Sequence, residues 1–371
     1  MKFLDHILIN PCVTLIKGKK YPFIEMANVA VNNREPIKID YKVFSSGVKF
    51  QNGDTVIARI EPCLQNGKKF FCHNIGEGFG STEFLVFRPK DNFVENRFLY
   101  YYLQTESIQK SMIGSMTGAT GRQRVNNDIF KTMDINIPCY KIQKKIADIL
   151  SAYDDLIENN QKQIKLLEEA AQRLYKEWFV DLRFPGYETT PIIDDIPQVW
   201  KKELVGNIID KSYRSKQVMA CDYLKEGAIP IIDQSRDFIA GYTNDQETIV
   251  DLRCPVIVFG DHTRILKYIQ FPFAKGADGT QLIVSISGNM PQSLLYFSLL
   301  NVDLSNYHYA RHFKYLKAKE IIVPDIETAT KFKDYVEPIL QKVQILRTQI
   351  YKAQQARDRL LPKLMNGEIE V

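Results

Sequence analysis

Residues 137–179 read IPCYKIQKKIADILSAYDDLIENNQKQIKLLEEAAQRLYKEWF, and a related stretch returns as residues 323–365, VPDIETATKFKDYVEPILQKVQILRTQIYKAQQARDRLLPKLM. The two stretches align without a gap at an offset of 186 residues, so that Ile164 corresponds to Ile350. In both, apolar residues recur every three or four positions, which is typical of a long amphipathic helix. A long helix that occurs twice predicts a protein made of two similar halves and a function that needs both.

Apolar rows along the two helices predict that they pack on each other. Between Lys141 and Phe179 the first helix would be roughly 58 Å long, and its apolar face would lie in water unless it were covered. That helix carries one row in steps of four and three, Ile142, Ile146, Ile149, Tyr153 and Leu156, and another in steps of seven, Ile157, Ile164, Ala171 and Trp178. The second helix carries Phe332, Val336, Ile339, Val343, Leu346, Ile350, Ala353, Leu360 and Leu364. We expect an antiparallel pair, because the linker after Phe179 leads directly into the second globular domain.

Three residues of unusual type predict local features of the helices. Asn160 falls on the apolar seam, where a polar residue fixes the register of a coiled coil. Pro338 predicts a kink or a fresh helix start, and Gly367 predicts a helix end. The residues expected to pack the helices together or to bind a partner are Ile149, Asn160, Ile164, Trp178, Phe179, Val343, Ile350, Leu360 and Leu364.

The repeat extends upstream of the helices, with gaps. The strand-like residues 55–59 align with 255–259, residues 81–86 with 279–284, and the helix-like residues 98–103 with 294–299. After the last pair the offset falls from 196 to 186 residues, which places a ten-residue deletion in the loop that follows. Each half therefore predicts short strands, one helix, a polar loop, a last strand and the long helix.

The predicted fold class is α+β: two mixed α/β globular domains separated by an antiparallel pair of long helices, in a pseudo-twofold internal repeat. The first globular domain is predicted at 1–139, and the first long helix with its linker at 140–184. The second globular domain is predicted at 185–324, and the second long helix at 325–371.

The composition argues against several classes of protein. No run of about eighteen apolar residues is present, and the N-terminal apolar stretch is too short for a secretory signal, so we expect a cytoplasmic protein. The six cysteines are scattered without a CxxC pair, which argues against a metal site and against disulfides. The net charge of +5 permits nucleic acid as a partner without requiring it.

Motifs at the ends of both helices point to one protein family. Residues 174–181, LYKEWFVD, followed by RFPG at 183–186, resemble the central conserved region of type I restriction–modification specificity subunits. Residues 359–369, RLLPKLMNGEI, resemble their C-terminal conserved region. Ile196-Pro197 with Trp200 and Leu204 is similar to the opening of a target recognition domain of that family. The resemblance covers the whole chain, although the first domain lacks the Pro-x-x-Trp opening of the second.

The resemblance implies a DNA-recognition subunit without catalytic activity. Each globular domain would be a target recognition domain that reads one half of a two-part DNA site, and the helices would set the spacing between the halves. The implied partners are double-stranded DNA, two adenine-N6 methyltransferase subunits that dock on the helices, and a restriction motor subunit that can join. No cofactor is expected on this chain, because S-adenosylmethionine would bind the methyltransferase.

Candidate DNA contacts in the first domain are residues that can donate to base edges or to phosphates. Arginine and glutamine form paired hydrogen bonds with guanine and adenine, and loop amides bind phosphate. The glycine-rich loop at 114–124 offers Thr120, Arg122, Gln123 and Arg124, a basic cluster offers Lys17, Lys19 and Lys20, and two strand positions offer Arg59 and Glu83. A solvated turn and a solvated charged face are the alternatives for the loop and the lysines.

The second domain offers an equivalent set of polar residues after its own predicted strands and in its shortened loop. Histidine, tyrosine and glutamine can donate to bases, and lysine and arginine can neutralise phosphates. The candidates are His262, Arg264, Lys275, Gln281, Tyr309, Arg311 and His312.

Motifs of catalysis are weak in this sequence. It contains neither the Asp/Asn-Pro-Pro-aromatic tetrad of adenine methyltransferases nor the GxxxxGK[ST] nucleotide loop. Gly76–Gly80 predicts a turn between strands. Asp325 with Glu327 and Lys331 faintly resembles a nuclease centre, but an acidic residue at the start of a helix is the simpler interpretation. The alternatives left open are a stand-alone DNA-acting nuclease and a coiled-coil scaffold.

Overall fold

A computed structural model describes residues 1–31, 33–210, 215–251, 253, 255–277, 279–306 and 311–371. The chain divides into two compact units: unit 1 comprises Met1–Lys162 and Arg347–Val371, and unit 2 comprises Gln163–Leu346. Each unit has strands, short helices and a segment of each long helix. The predicted α+β class, with two mixed α/β parts and two long helices, is confirmed. No helix in the described part of the chain has an apolar stretch that could span a membrane.

Unit 1 combines strands and helices as follows. The strands are β1 (Ile7–Ile9), β2 (Lys20–Ile24), β3 (Asp40–Val43), β4 (Val48–Phe50), β5 (Thr55–Ala58), β6 (Lys69–Phe71), β7 (Gly78–Gly80) and β8 (Phe84–Pro89). The helices are α1 (Phe3–His6), α2 (Asn96–Tyr102), α3 (Glu106–Gly114), α4 (Ile129–Thr132) and the first part of α5 (Tyr140–Tyr175), which continues as a π-helical segment at Lys176–Val180.

Two four-stranded sheets form the frame of unit 1. One has the order β1-β8-β5-β6 and is antiparallel throughout; the other has the order β3-β2-β7-β4, with β2 and β7 parallel. Residues of β5 and β8 alternate between two cores: Val56 and Val86 join the second sheet, whereas Ile57 and Leu85 pack toward the helices. A strand buried on both faces reads as a continuous apolar run, which is why this strand was predictable.

Unit 2 repeats this arrangement. Its strands are β9 (Ile192–Ile193), β10 (Ile196–Pro197), β11 (Lys201–Leu204), β12 (Gln217–Val218), β13 (Ile229–Ile232), β14 (Gly241–Thr243), β15 (Val256–Gly260), β16 (Leu266–Ile269), β17 (Ala274–Gly276), β18 (Thr280–Ile283) and β19 (Glu320–Val323). Its helices are α6 (Val205–Ile208), α7 (Gln292–Leu300), α8 (His312–Lys317) and the first part of α9 (Ile326–Met365). Short 3-10 turns occupy Met26–Asn28, Tyr187–Thr189, Ala220–Asp222 and Gln246–Thr248.

Sheet pairings in unit 2 match those of unit 1. The antiparallel pair β15–β18 corresponds to β5–β8, and β13 pairs with β14 and β17 as β2 pairs with β3 and β7. The register opposes Phe259 and Gln281, just as the backbone of Arg59 meets that of Glu83. The alignment of the two halves that the sequence predicts is therefore confirmed at these strands.

The two long helices run antiparallel within unit 1. Asp154 of α5 pairs with Arg357 of α9 at 2.5 Å, and Asn160 donates to Gln349 Oε1 at 3.1 Å. Moving forward along α5 therefore means moving backward along α9. The Asn160 contact agrees with the predicted polar seam position, and it lies between the helices as expected.

An aromatic cluster joins the helix segments of unit 2. The ring of Phe332 lies 5.9 Å from that of Trp178 and 5.1 Å from that of Phe179, and all three residues are buried. The ring of Trp200 packs against that of Phe184 in a tilted arrangement, with centroids 4.5 Å apart, and its N–H donates to Asp325. Asp325 also accepts from the backbone N–H of Thr328, so it caps α9, as the simpler interpretation of this acidic residue proposed.

Helix positions singled out in the sequence differ in their burial. Asn160, Trp178, Phe179, Val343 and Leu364 are buried, and Ile149, Ile164, Ile350 and Leu360 are half-buried. The prediction that Ile142 and Leu156 belong to the buried apolar row is wrong, because their side chains are 37% and 44% exposed. The seam of unit 1 instead turns toward Ile146, Leu150 and Ile157, because the buried face follows positions 3.6 residues apart.

Predicted interruptions of the second helix have different outcomes. α9 runs unbroken from Ile326 to Met365, so a fresh start at the exposed Pro338 is wrong, and the alternative of a kink there stays a prediction. The predicted end at Gly367 is confirmed, because this residue has φ +73° and Glu368 N–H donates to the carbonyl of Lys363.

The predicted turn at Gly76–Gly80 is wrong for its second part, because Gly78–Gly80 forms β7. A Cβ at Gly80 would lie 2.6 Å from the carbonyl oxygen of Ile24, so only glycine fits this close strand pairing.

Candidate DNA interface

In unit 1 the candidate residues gather where β5 ends and β8 begins. Arg59 follows β5, and its backbone N–H donates to the carbonyl of Glu83, which precedes β8, at 2.9 Å. Val125 N–H donates in turn to the carbonyl of Arg59 at 2.9 Å. The end of the glycine-rich loop is therefore fastened to the same edge of the sheet as Arg59 and Glu83.

The glycine-rich loop is folded back on itself. Thr117 and Arg124 exchange backbone hydrogen bonds of 3.0 and 2.9 Å, and Gly118 and Gly121 adopt positive φ angles in the turn between them. Glu61 anchors this turn through two hydrogen bonds. Its backbone N–H donates to the carbonyl of Gln123, and its carboxylate accepts from Gly121 N–H at 3.0 Å. Such anchoring holds the loop in one shape before a ligand arrives.

Arg124 is bound to Glu83 rather than free. Its guanidinium donates to both carboxylate oxygens of Glu83, with Nη2–Oε1 at 2.7 Å and Nε–Oε2 at 2.9 Å. These hydrogen bonds hold the pKa of the Glu83 carboxyl below its ordinary value. Because the carboxylate is the favoured form, the link is complete at neutral pH and is lost as the pH falls below the ordinary carboxyl range.

Replacing Arg124 by alanine is expected to raise the pKa of Glu83 toward its ordinary value, since the donors that stabilise the carboxylate are removed. The measurement is an NMR titration of the Glu83 side-chain carboxyl carbon. Arg122→Ala is the matched control, because Arg122 lies two residues away and its side chain makes no contact with Glu83 in the described structure. An unchanged titration of Glu83 in Arg124→Ala would contradict the paired arrangement.

The remaining loop candidates differ in availability. Thr120 and Arg122 are exposed and Gln123 is half-buried, and none of their side chains is hydrogen-bonded within the described structure. The half-buried Arg59 donates to the carbonyl of Val125. Arg122 and Gln123 are therefore the side chains of this edge that are free to donate to a base, beside a preformed Arg124–Glu83 pair.

The basic cluster Lys17, Lys19 and Lys20 lies at another place in unit 1. It occupies the turn that leads into β2, with Gly18 at φ +86°, and all three lysines are exposed. No ion pair involves them within the described part of the chain. The structure does not bring this turn into the hydrogen-bonded set around Glu83, so it forms a separate basic surface.

In unit 2 the corresponding edge is organised by Asp261. This buried residue follows β15; its carbonyl accepts from His312 N–H at 2.9 Å and its carboxylate from Phe313 N–H at 2.7 Å. The start of α8 is thereby fixed beside the turn that carries His262 and Arg264. Asp261 was missed in the sequence, although a polar residue directly after a buried strand could have indicated it.

The turn after β15 exposes two candidates. His262 is exposed, and Arg264, also exposed, has φ +62° and donates through Nη1 to the carbonyl of Leu304 at 2.9 Å. Arg311 is exposed at the start of α8, whereas His312 is only 3% exposed. The side chain of His312 therefore does not reach the surface, because the Asp261 carbonyl draws its backbone inward. Tyr309 lies outside the described residues.

Lys275 and Gln281 line one pocket of about 110 Å³ in unit 2, together with Asp210, Ser215, Phe313 and Lys317. Lys275 belongs to β17 and Gln281 to β18. Lys317 was not a candidate in the sequence, because it lies on a helical face that only the fold turns toward these strands. Within the described residues, no three His, Cys, Asp or Glu side chains are grouped to hold a metal ion.

Comparison with known proteins agrees with this geometry. The family profile of the type I restriction modification DNA specificity domain matches residues 13–169. The specificity subunit of the type I restriction enzyme MjaIX from Methanocaldococcus jannaschii is 28% identical over 308 residues, 76% of this chain and 71% of that protein. The HindI specificity subunit from Haemophilus influenzae is 34% identical over 135 residues, 35% of this chain and 28% of that protein.

A solved structure has the same fold. The crystal structure of a type I restriction-modification S subunit from M. genitalium superposes with a TM-score of 0.61 over 98% of this chain and 95% of that one, at 15% sequence identity. The family motifs at both helix ends, the repeated units and the matched relatives agree with one another. Residues 13–169 of this chain belong to the family of type I restriction modification DNA specificity domains, and the chain as a whole is similar to type I restriction–modification specificity subunits.

Proposed function

We propose that this chain is the DNA-sequence specificity subunit of a type I restriction–modification complex, and that each unit reads one half of a two-part site. The observation that carries the proposal is the repeated edge: in both units the antiparallel pair β5–β8 or β15–β18 ends beside polar and cationic loop residues. Two similar reading edges fit a target with two separate halves.

Within unit 1, we assign base reading to the anchored loop. Arg122 has the forked donor that guanine binds best, and Gln123 can form paired hydrogen bonds with adenine. Glu83 can accept from the amino group of cytosine when Arg124 turns away from it. The lysines of the turn before β2 serve as phosphate contacts, which position the protein without reading sequence.

The partners and cofactor follow from the family. We assign docking of two adenine-N6 methyltransferase subunits to the outward faces of α5 and α9, and a restriction motor subunit can join the complex. S-adenosylmethionine binds the methyltransferase, so this chain carries no cofactor and performs no catalysis.

Arg122→Ala is expected to relax discrimination at one base pair in one half of the site and to weaken binding there roughly 5- to 150-fold, the value of a lost arginine–guanine pair. The measurement is a genome-wide map of methylated adenines after co-expression with the methyltransferase. Lys90→Ala is the matched control, because Lys90 is a cation beyond the opposite end of β8. Methylation unchanged in Arg122→Ala would count against reading by this loop.

The same experiment tests the division between units. His262→Ala in unit 2, a change at an exposed side chain, is expected to relax discrimination in the other half of the site, and Arg122→Ala should leave that half unchanged. A one-part methylation motif, or both variants affecting the same base pairs, would contradict a two-part site. DNA cleavage by the purified chain with Mg²⁺ would support the nuclease alternative instead.

A further inference from the structure

The pocket of unit 2 contains an ammonium group that forms no ion pair with the described residues. Lys275 is half-buried at the centre of the short strand β17 and forms no ion pair or hydrogen bond within the described part of the chain. Burial lowers the pKa of Lys275, since water that would solvate the ammonium is displaced. A half-buried charge is costly unless a partner of opposite sign compensates it.

Other donors face the same space. Among the residues that the structure describes, the buried hydroxyl of Ser215 has no hydrogen-bond partner and the amide of Gln281 makes no hydrogen bond. Buried hydroxyls are normally satisfied, so an orphaned one at a pocket wall indicates a missing ligand or water. Three polar groups that have no hydrogen-bond partner in the described part of unit 2 therefore line one pocket: an ammonium, a hydroxyl and an amide.

The charge balance of the pocket favours an anion. Lys317 adds a second ammonium, which lies 4.9 Å from the ring centroid of Phe313 on the same helix. Asp210 brings one carboxylate to the lining. Two cations against one anion leave a net positive charge, and the lysines come from two elements, β17 and α8, that the fold fixes independently.

Unit 1 has no equivalent of this cation. The corresponding strand β7 reads Gly78-Phe79-Gly80, and Phe79 packs on Phe23 and Phe44 with ring centroids at 4.9 and 5.1 Å. Pro22 of β2 pairs with Tyr41 as Pro230 of β13 pairs with Tyr242, so Ile24 and Ile232 correspond, and Gly80 lies opposite Ile24 as Lys275 lies opposite Ile232. Lys275 therefore corresponds to Gly80, which has no side chain. If the sheet itself required a lysine at this position, both units would carry one. The lysine therefore indicates a ligand specific to unit 2.

We propose that the pocket formed by Lys275, Lys317, Ser215 and Gln281 binds a phosphate oxyanion. The ammonium groups neutralise its charge, and the hydroxyl and amide donate to its oxygens. A phosphodiester of the DNA backbone and a free phosphate share this chemistry. The DNA source rests on the proposed function; binding of the oxyanion itself does not.

The first arm of the test uses inorganic phosphate and the full chain. Phosphate at about a hundred times its Kd should raise the melting temperature of unit 2 by roughly 5–10 °C. Lys275→Met should lose most of this rise. Lys314→Met should retain it, because Lys314 is an exposed lysine of α8, the helix that also carries the pocket residue Lys317. Comparing variants at equal ionic strength removes the general stabilisation by phosphate salts.

The variants also report on their own folding. Without phosphate, Lys275→Met should melt at the same temperature as the wild type or higher, because a half-buried charge without a partner has been removed. Lys317→Gln provides a second pocket variant with a reduced phosphate response. A full phosphate response in both Lys275→Met and Lys317→Gln would overturn the proposal.

The second arm uses the complex with its methyltransferase and a duplex that carries the site found by methylation mapping. If the anion is a DNA phosphate, Lys275→Met should reduce the slope of log K against log salt concentration by about 0.9, equally for all sequences. An unchanged slope together with a lost phosphate response assigns the pocket to a free phosphate. Absence of a sequence-specific site in the wild type would reject the proposed function, while the phosphate arm still decides this inference.

Discussion

Arg357→Ala is expected to destabilise unit 1 by about 3–5 kcal/mol, because it leaves a buried carboxylate without its cation. Asp154 and Arg357 are only 1% and 5% exposed, and their side chains meet at 2.5 Å between α5 and α9. The hydroxyl of Tyr101 also donates to Asp154, and burial raises the pKa of Tyr101, so this donor stays protonated. Without Arg357, the hydroxyl of Tyr101 is the hydrogen-bond donor that the buried Asp154 carboxylate retains among the described residues.

The matched control is Arg359→Ala on the same helix. Arg359 is exposed and has no ion pair within the described residues, so its loss should change stability by less than about 0.5 kcal/mol. Urea unfolding followed by hydrogen exchange on peptides from residues 140–162 measures the effect where the pair lies. Equal effects of the two substitutions would show that the buried pair does not hold the helices together.

A double variant separates the cost of an orphaned charge from the value of the pair. Asp154→Leu combined with Arg357→Met replaces both charges with apolar side chains of similar size. Such replacements are often neutral or stabilising, so the double variant should recover most of the stability that Arg357→Ala loses. If it does not, the pair contributes through its geometry as well as through compensation of charge.

Phe332→Ala is the second substitution with a large expected effect, a loss of about 3–5 kcal/mol in unit 2. Phe332 is fully buried where α9 meets the end of α5. Rings surround it with centroids at 5.1 to 6.1 Å, those of Phe179, Trp178, Tyr175 and Phe297. Removing the ring leaves a cavity that these rigid aromatic neighbours cannot fill.

Ile345→Ala is the control for this substitution, because Ile345 lies on the same helix and is 52% exposed. Its removal should shift the urea midpoint only slightly. Near-ultraviolet circular dichroism is a second measurement for Phe332→Ala, since the packed Trp178 should lose its ordered environment. A midpoint for Phe332→Ala equal to that of the control would contradict the role assigned to the cluster.

Sequence periodicity predicted the parts of the fold that depend on burial. β5 and β15 are apolar on both faces, and the long helices carry apolar residues at helical spacing, so these elements and their repetition could be read directly. The register of the seam was less accurate: Leu156 is apolar but exposed, whereas the buried Asp154 is charged. Composition alone cannot indicate that a carboxylate 203 residues distant from an arginine will be buried against it.

The candidate interface was predictable in its location and less so in its pairing. The loop with Arg122 and Arg124 was identified from its glycines and cations. Only the fold shows that Arg124 is already paired with the carboxylate of Glu83. His312 was a reasonable polar candidate, and the backbone contact with Asp261 buries it. Lys317 and Ser215 could be recognised as candidate binding residues only from the fold, because strands and a helix that are distant in sequence line one pocket. Side-chain partners that are distant in sequence were thus the missing information.

The division of the chain into units has a consequence for synthesis on the ribosome. Unit 2 is continuous, from Gln163 to Leu346, whereas unit 1 needs Arg347–Val371 to be complete. Asp154 emerges 203 residues before its partner Arg357, a delay of roughly 10–40 s at ordinary elongation rates. Unit 1 therefore begins to be synthesised first but can complete its folding only at the end of translation. Nascent chains should expose the start of α5 to chaperones and proteases until the final turns of α9 are translated.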